Sequence, residues 1–248
     1  MAYLDEPLNS VAEKANATAA GAIEALTRSQ LGHALDAHYR NVKVYESLKS
    51  LSDVIGTQYG DRVLFELIQN AHDAHAPGEK GEIAIRLIIE SPEQGLLLVG
   101  NRGRPFTDSN LEAIRNIGMS DKEISEGIGN KGLGFRSDEA LTNDVHIFSA
   151  APQSPAAKFG GYCFRFARLE EITAHLVGLG ASAVVAAKVA SNIPRYLVPV
   201  TVHEQAAEVR RLSGEGFATV VGATATDRDG ITLSLTHAVP GDAHSPSV

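Results

Sequence analysis

The spacing of apolar residues changes period along this 248-residue chain, and each change marks an element. Over 61–75 the apolar positions follow a helix: at about 100° per residue, Val63, Leu64, Leu67, Ile68, Ala71 and Ala74 fill one arc that must face a core. Pro77-Gly78 breaks that helix, and Glu82 to Ile89 then alternates as a strand does. Gln94-Gly95 reads as a turn into Leu96-Leu97-Leu98-Val99, a buried strand that delivers Asn101. A helix near 108–117 and strands near 145–150 and 161–167 follow. Residues 170–213 read as helical around a loop from Ile193-Pro194 to Pro199, and two late strands are expected near 217–223 and 230–236. Residues 1–60 read as helical, with a capping-box pattern at Ser10-Val11-Ala12-Glu13 and helices around 28–40 and 41–56. The fold class implied is α+β, a two-layer sandwich with helices on one face of a mixed sheet.

Composition narrows the classes. The chain is 44% hydrophobic, yet it has no apolar run of about 18 residues, so no transmembrane helix is expected. The N-terminus lacks a basic region followed by an apolar stretch, so a secretory signal is not expected. Cys163 is the single cysteine, which excludes an internal disulfide and suits a reducing, cytoplasmic setting. It sits in the alternating stretch Tyr162 to Phe166, where a packed thiol is expected rather than a nucleophile. The nine histidines are scattered, with no zinc-site spacing. A net charge of −8 and no basic run beyond Arg210-Arg211 disfavour direct binding of nucleic acid.

Candidate chemistry is concentrated between Phe65 and Ser137. On the helix near 61–75, Glu66, Asn70 and Asp73 fall within an arc of roughly 60°. Carboxylate and amide oxygens are the hard donors that a metal–phosphate site needs. A carboxylate one water away from a terminal phosphate can orient and deprotonate that water. Taken alone, the same arc reads more readily as a solvated polar face. Further along, glycines at 127, 129, 132 and 134 let the backbone turn tightly and bring its amide hydrogens to phosphate oxygens. A helix starting near Arg136 would add its N-terminal dipole, and Lys131 a point charge. The spacing is not that of a P-loop, and no strand-GxGxxG-helix unit is present.

Four motifs in order then resemble the GHKL ATPases (gyrase, heat-shock chaperone, histidine kinase, MutL), most closely the heat-shock-chaperone and sacsin/NOV-like branch. They are the helix Glu66 to Ala74, the turn Asn101-Arg102-Gly103-Arg104-Pro105-Phe106, the segment Ile117 to Lys122, and the loop Gly129 to Ser137. Tyr59-Gly60-Asp61-Arg62 also suits that branch. The resemblance covers residues 45–165, with a weaker echo near 194–223.

What the resemblance implies is a Bergerat fold over 61–236, with 1–60 as a helical region packed on it; the Pro/Gly/Ser/His composition of 237–248 reads as a disordered tail. ATP and Mg2+ are the implied cofactors. Glu66 would be the general base, Asn70 the Mg2+ ligand and Asp73 a support for the nucleotide. Gly103 would let the backbone approach the base. Ser120, Lys122, Gly129, Lys131, Gly132, Gly134 and Phe135 would hold the nucleotide within a lid over 118–134. Asn101 stands where the family has an adenine-reading aspartate. An aspartate only accepts a hydrogen bond there, whereas asparagine can accept one or, with its amide flipped, donate to a guanine oxygen. Thr219 is expected to reach the pocket from a late strand. Gly230 to Leu235 is a rival segment with an isoleucine in the threonine position.

Two functions of different class follow. One is an ATPase whose lid closure drives homodimerisation or remodelling of a partner, as a module of a longer machine. The other is a nucleotide-binding switch that scarcely turns over. Glu66 favours the first and Asn101 the second. A histidine kinase is disfavoured, because His33 and His38 lack the context of a phospho-acceptor. Chaperoning, repair, chromatin work and defence all remain open.

Overall fold

A computed structural model describes residues 19–59, 63–91, 94–115, 145–151 and 159–226. Among the described residues three helices come first: α1 (Ala19–Tyr39), α2 (Val44–Tyr59) and α3 (Val63–Asp73). Then follow β1 (Ile83–Ser91), β2 (Gln94–Asn101), α4 (Asp108–Arg115), β3 (Val145–Ser149) and β4 (Cys163–Phe166). The remainder is α5 (Leu169–Gly178), α6 (Ala183–Asn192), a 3-10 turn at Arg195–Leu197, β5 (Pro199–Thr201), α7 (Ala207–Gly214) and β6 (Thr219–Thr226). The fold is α+β, with one six-stranded sheet in the order β1-β2-β6-β3-β4-β5 packed against helices.

The sheet departs from the expected mixed one, because every described pairing is antiparallel. The reason is topological. β2 and β3 run in the same direction, as a crossover through α4 allows, but β6 inserts between them and pairs antiparallel with both.

Both faces of the sheet are covered, which corrects the expectation of two layers with helices on one face. Alternation along the strands puts Val99, Val221, Ile147 and Phe164 on one side. There they join Leu67 and Ala71 of α3, Ile23 and Leu31 of α1, Ile172 and Leu176 of α5, and Val189 of α6. Leu98, Val220, Phe148 and Cys163 face the other way, against Phe159, Phe217, and Val209 and Leu212 of α7. The Leu96 to Val99 run has no polar face to offer water, so both of its sides require cover. An ionic network also ties α7 to the sheet: Arg86 of β1 reaches Glu208 at 2.9 Å and Glu215 at 2.6 Å, and Arg211 meets both carboxylates.

Smaller differences have local causes. Gln94 and Gly95 lie inside the ladder, paired with Ser91 and Ile89, rather than in the turn. The expected 193–199 loop closes with an edge strand, where Pro199 stands first and owes the ladder no N–H. The first described helix spans Ala19–Tyr39 and so takes in the expected 28–40 helix together with residues before it, and Thr27 on it donates to the Pro199 carbonyl. Leu64 is 41% exposed despite its place in the apolar arc of α3; among the described residues that helix packs chiefly on β1 and β2, through the buried Leu67 and Ala71. The capping box, the lid, the glycine loop, the 230–236 strand and the tail lie outside the described residues. No described helix is long and apolar enough to cross a membrane.

Candidate functional site

The most specific arrangement is a polar row across three neighbouring strands. Asn101 of β2 is directly opposite Thr219 of β6, and Thr219 is directly opposite Ser149 of β3. All three are buried, at 6%, 7% and 0% exposure, on the side of the sheet that α3 covers. The Ser149 hydroxyl lies 3.3 Å from that of Thr219 and accepts the Phe106 N–H at 2.8 Å. Ser149 therefore pins both Thr219 and the far end of the 101–106 turn. Sequence reading missed it, since a small polar residue at a strand end carries no signal of its own.

The turn is held at its other end by α3. Asn101 Oδ1 accepts the Gly103 N–H at 3.1 Å, a side-chain closure of the turn. The Ala74 carbonyl, one of the orphans at a helix C-terminus, accepts from Arg104 N at 2.8 Å and from its Nε at 3.3 Å. Arg104 Nη2 adds a bond to the Asp73 carbonyl at 3.1 Å. A Cβ at Gly103 would sit 2.5 Å from the Ala74 oxygen. The need for glycine here is thus met by the helix end, whether or not a base also approaches. Phe106 then packs edge-on to Phe164, 5.6 Å between centroids, and Arg102 lies 5.0 Å over Phe217 while pairing with Glu82.

On α3 the buried Leu67 and Ala71 face Val99, while Glu66, Asn70 and Asp73 are half-buried. Asp73 Oδ1 lies 3.4 Å from His72 Nδ1. Beside Asn70, the buried Gln69 Nε2 has no partner among the described residues. The structure thus brings Asn101 to Thr219, and Gly103 to the end of the helix that carries Glu66, Asn70 and Asp73. Ser120, Lys122, Gly129, Lys131, Gly132, Gly134 and Phe135 lie outside the described residues.

A cleft of about 520 Å3 opens at the outer side of the same turn, lined by His75, Lys80, Glu82, Arg102 and Arg104 among others. It adjoins Gly103 and Ala74 rather than the Asn101–Thr219 row. Among the described residues no three His, Cys, Asp or Glu side chains gather as a metal cluster. Cys163 is buried, its Sγ donating to the Phe159 carbonyl at 3.5 Å, and burial pushes its thiol above the ordinary range.

No protein-family model matches the chain, and no curated protein matches it.

Proposed function

We propose that this chain is a Mg2+-dependent ATP-binding and ATP-hydrolysing module of the GHKL type, built on a Bergerat fold and working in the cytoplasm as part of a larger assembly. The observation that carries this is the Asn101–Thr219 pair. Two residues chosen for the same pocket, from motifs far apart in the chain, are direct neighbours across the sheet and lie on the face that α3 covers.

The donor set fits the implied cofactors. Glu66 and Asn70 offer hard oxygens on one arc of α3, half-buried rather than packed into the core. When bound, Mg2+ would screen the phosphate charge and polarise the bond that breaks. Asn70 would hold the ion through its amide oxygen. Glu66 would orient a water and take its proton at a carboxylate oxygen as the terminal phosphoryl group is attacked. Asn101 and Thr219 would face the base. Asp73, whose backbone carbonyl is tied to Arg104, would steady the nucleotide from the helix end. Closure of the 118–134 segment over the phosphates would couple binding to a second copy or a partner protein.

Titration calorimetry with ATP, with and without Mg2+, tests the assignment. Binding that strengthens with Mg2+ is expected, and no heat at millimolar nucleotide rejects the pocket. A second function, a switch that scarcely hydrolyses, is favoured by asparagine at position 101. Steady phosphate release under saturating ATP would exclude it.

A further inference from the structure

The cleft on the outer side of the Gly103 turn is built from two stretches distant in the chain. The register of the β1–β2 hairpin sets Ile83 opposite Asn101, so the residues just beyond the ladder meet at its open end. There the Arg102 N–H donates to the Glu82 carbonyl at 3.1 Å. This brings Lys80, on the approach to β1, to the same hollow as Arg102 and Arg104, on the exit from β2. Three permanent cations line it against two carboxylates, in a chain whose net charge is −8. Neither carboxylate is idle: Glu82 pairs with Arg102 Nε at 3.1 Å, and Glu79 accepts the Ala76 N–H at 3.4 Å.

Both guanidiniums are held by the fold. Arg102 is fixed by Glu82 and by lying 5.0 Å over the Phe217 ring. Arg104 spends Nε and Nη2 on the carbonyls of Ala74 and Asp73. Each guanidinium carries five N–H groups, more than these contacts occupy. Lys80 is exposed, and its ammonium makes no bond among the described residues. A ligand meeting these groups finds the two arginines already ordered, which lowers the entropy cost of binding.

We propose that this cleft binds a small polyanion, a molecule with two or more carboxylate or phosphate groups, at a place separate from the nucleotide pocket. A planar guanidinium fork matches either oxyanion with paired hydrogen bonds, and the Lys80 ammonium adds a point charge. The volume of about 520 Å3 is within the roughly 300–1,000 Å3 of small-molecule sites and is more than a single inorganic ion fills. The negative charge of the rest of the chain repels an extended acidic polymer, so a compact ligand that fits inside the hollow is favoured.

Titration calorimetry of the full chain with citrate and with pyrophosphate, at fixed physiological salt and without added metal, tests this. Saturable binding of at least one is expected, weakened by about tenfold in both Lys80→Gln and Arg102→Gln, the effect of one lost charged hydrogen bond. Lys188→Gln removes the same charge from an exposed position on α6 and is expected to bind as the wild type does. Binding of pyrophosphate alone makes the ligand a phosphate compound, binding of citrate alone a carboxylate, and binding of both a site that reads charge and shape. No binding of either at millimolar concentration overturns the site. Binding that Lys80→Gln and Arg102→Gln leave unchanged, or that Lys188→Gln weakens equally, overturns it too, since the anion then rests elsewhere or on general charge. The exposed, unbonded Lys80 gives a variant that does not endanger the fold. Failure here leaves the nucleotide pocket standing, because neither Lys80 nor Arg102 is assigned to it.

Discussion

Asn101 and Thr219 stand directly opposite each other at the same end of β2 and β6, each almost wholly buried. Two polar side chains in such a place carry a desolvation cost unless hydrogen bonds offset it. Here the turn supplies one offset, through the Gly103 N–H, and Ser149 supplies the other, through its contact with the Thr219 hydroxyl. The row is therefore a small connected network, and it joins the sheet to the turn that contacts α3.

Ser149→Ala removes the acceptor of the Phe106 N–H and leaves that buried donor alone. A loss of about 1–3 kcal/mol is expected, the usual cost of orphaning a buried polar group. Urea unfolding of the variant measures it. A midpoint identical to wild type, at equal slope, would show that the bond contributes nothing.

Glu66 and Asn70 share an arc of α3 but are expected to fail differently. Glu66→Ala should leave nucleotide binding nearly intact and lower turnover by roughly 10²–10⁴-fold, the range for a general base. Asn70→Ala should weaken binding of the Mg–nucleotide complex itself. Calorimetry paired with phosphate release separates the two. Hydrolysis by Glu66→Ala at the wild-type rate would put the base elsewhere.

Gly103→Ala sets a methyl group 2.5 Å from the Ala74 carbonyl oxygen, a backbone atom that cannot swing aside. The turn must move off the helix end, stretching the bonds from Arg104 to Ala74 and Asp73. Destabilisation of about 1–3 kcal/mol is expected, as for overpacked sites. Because the same turn aims Asn101, nucleotide affinity should fall with it, and thermal melts with and without nucleotide measure both.

Glu171 provides a pH signature remote from the site. Two hydrogen bonds from the Arg165 guanidinium, at 2.7 and 2.6 Å, and one from the Arg168 N–H hold its carboxyl at about 2, against an ordinary 4.5. A depressed folded value means that the ionised form stabilises the fold above the ordinary value, and that this stabilisation fades as pH drops from 4.5 toward about 2. Glu171 is partly exposed, so solvent screening limits the effect to about 1 kcal/mol. Glu171→Gln should cost that much at neutral pH, and the gap to wild type should close over the acid window. A gap constant down to pH 2 would place the effect in packing rather than charge.

The elements around the site were legible in the chain because they follow local periods. The arc of Glu66, Asn70 and Asp73, the break at Pro77-Gly78, and the strand ending at Asn101 each depend on residues a few positions apart. The same reasoning failed wherever the decisive neighbour was distant. Nothing near Leu64 says which strands lie beneath α3. Nothing near Val209 and Leu212 says that they cover the second face of β2. Ser149 became a site residue only because β6 slipped between β2 and β3, which put Thr219 across from both Asn101 and Ser149. Periodicity assigns a side chain to a face, whereas burial of apolar area over the whole sheet selects the neighbouring strands. The chain alone therefore determined its helices, strands and candidate chemistry. The tertiary structure decided which polar groups meet, because hydrogen bonds such as Gly103 to Asn101 and Phe106 to Ser149 form only after distant strands have paired.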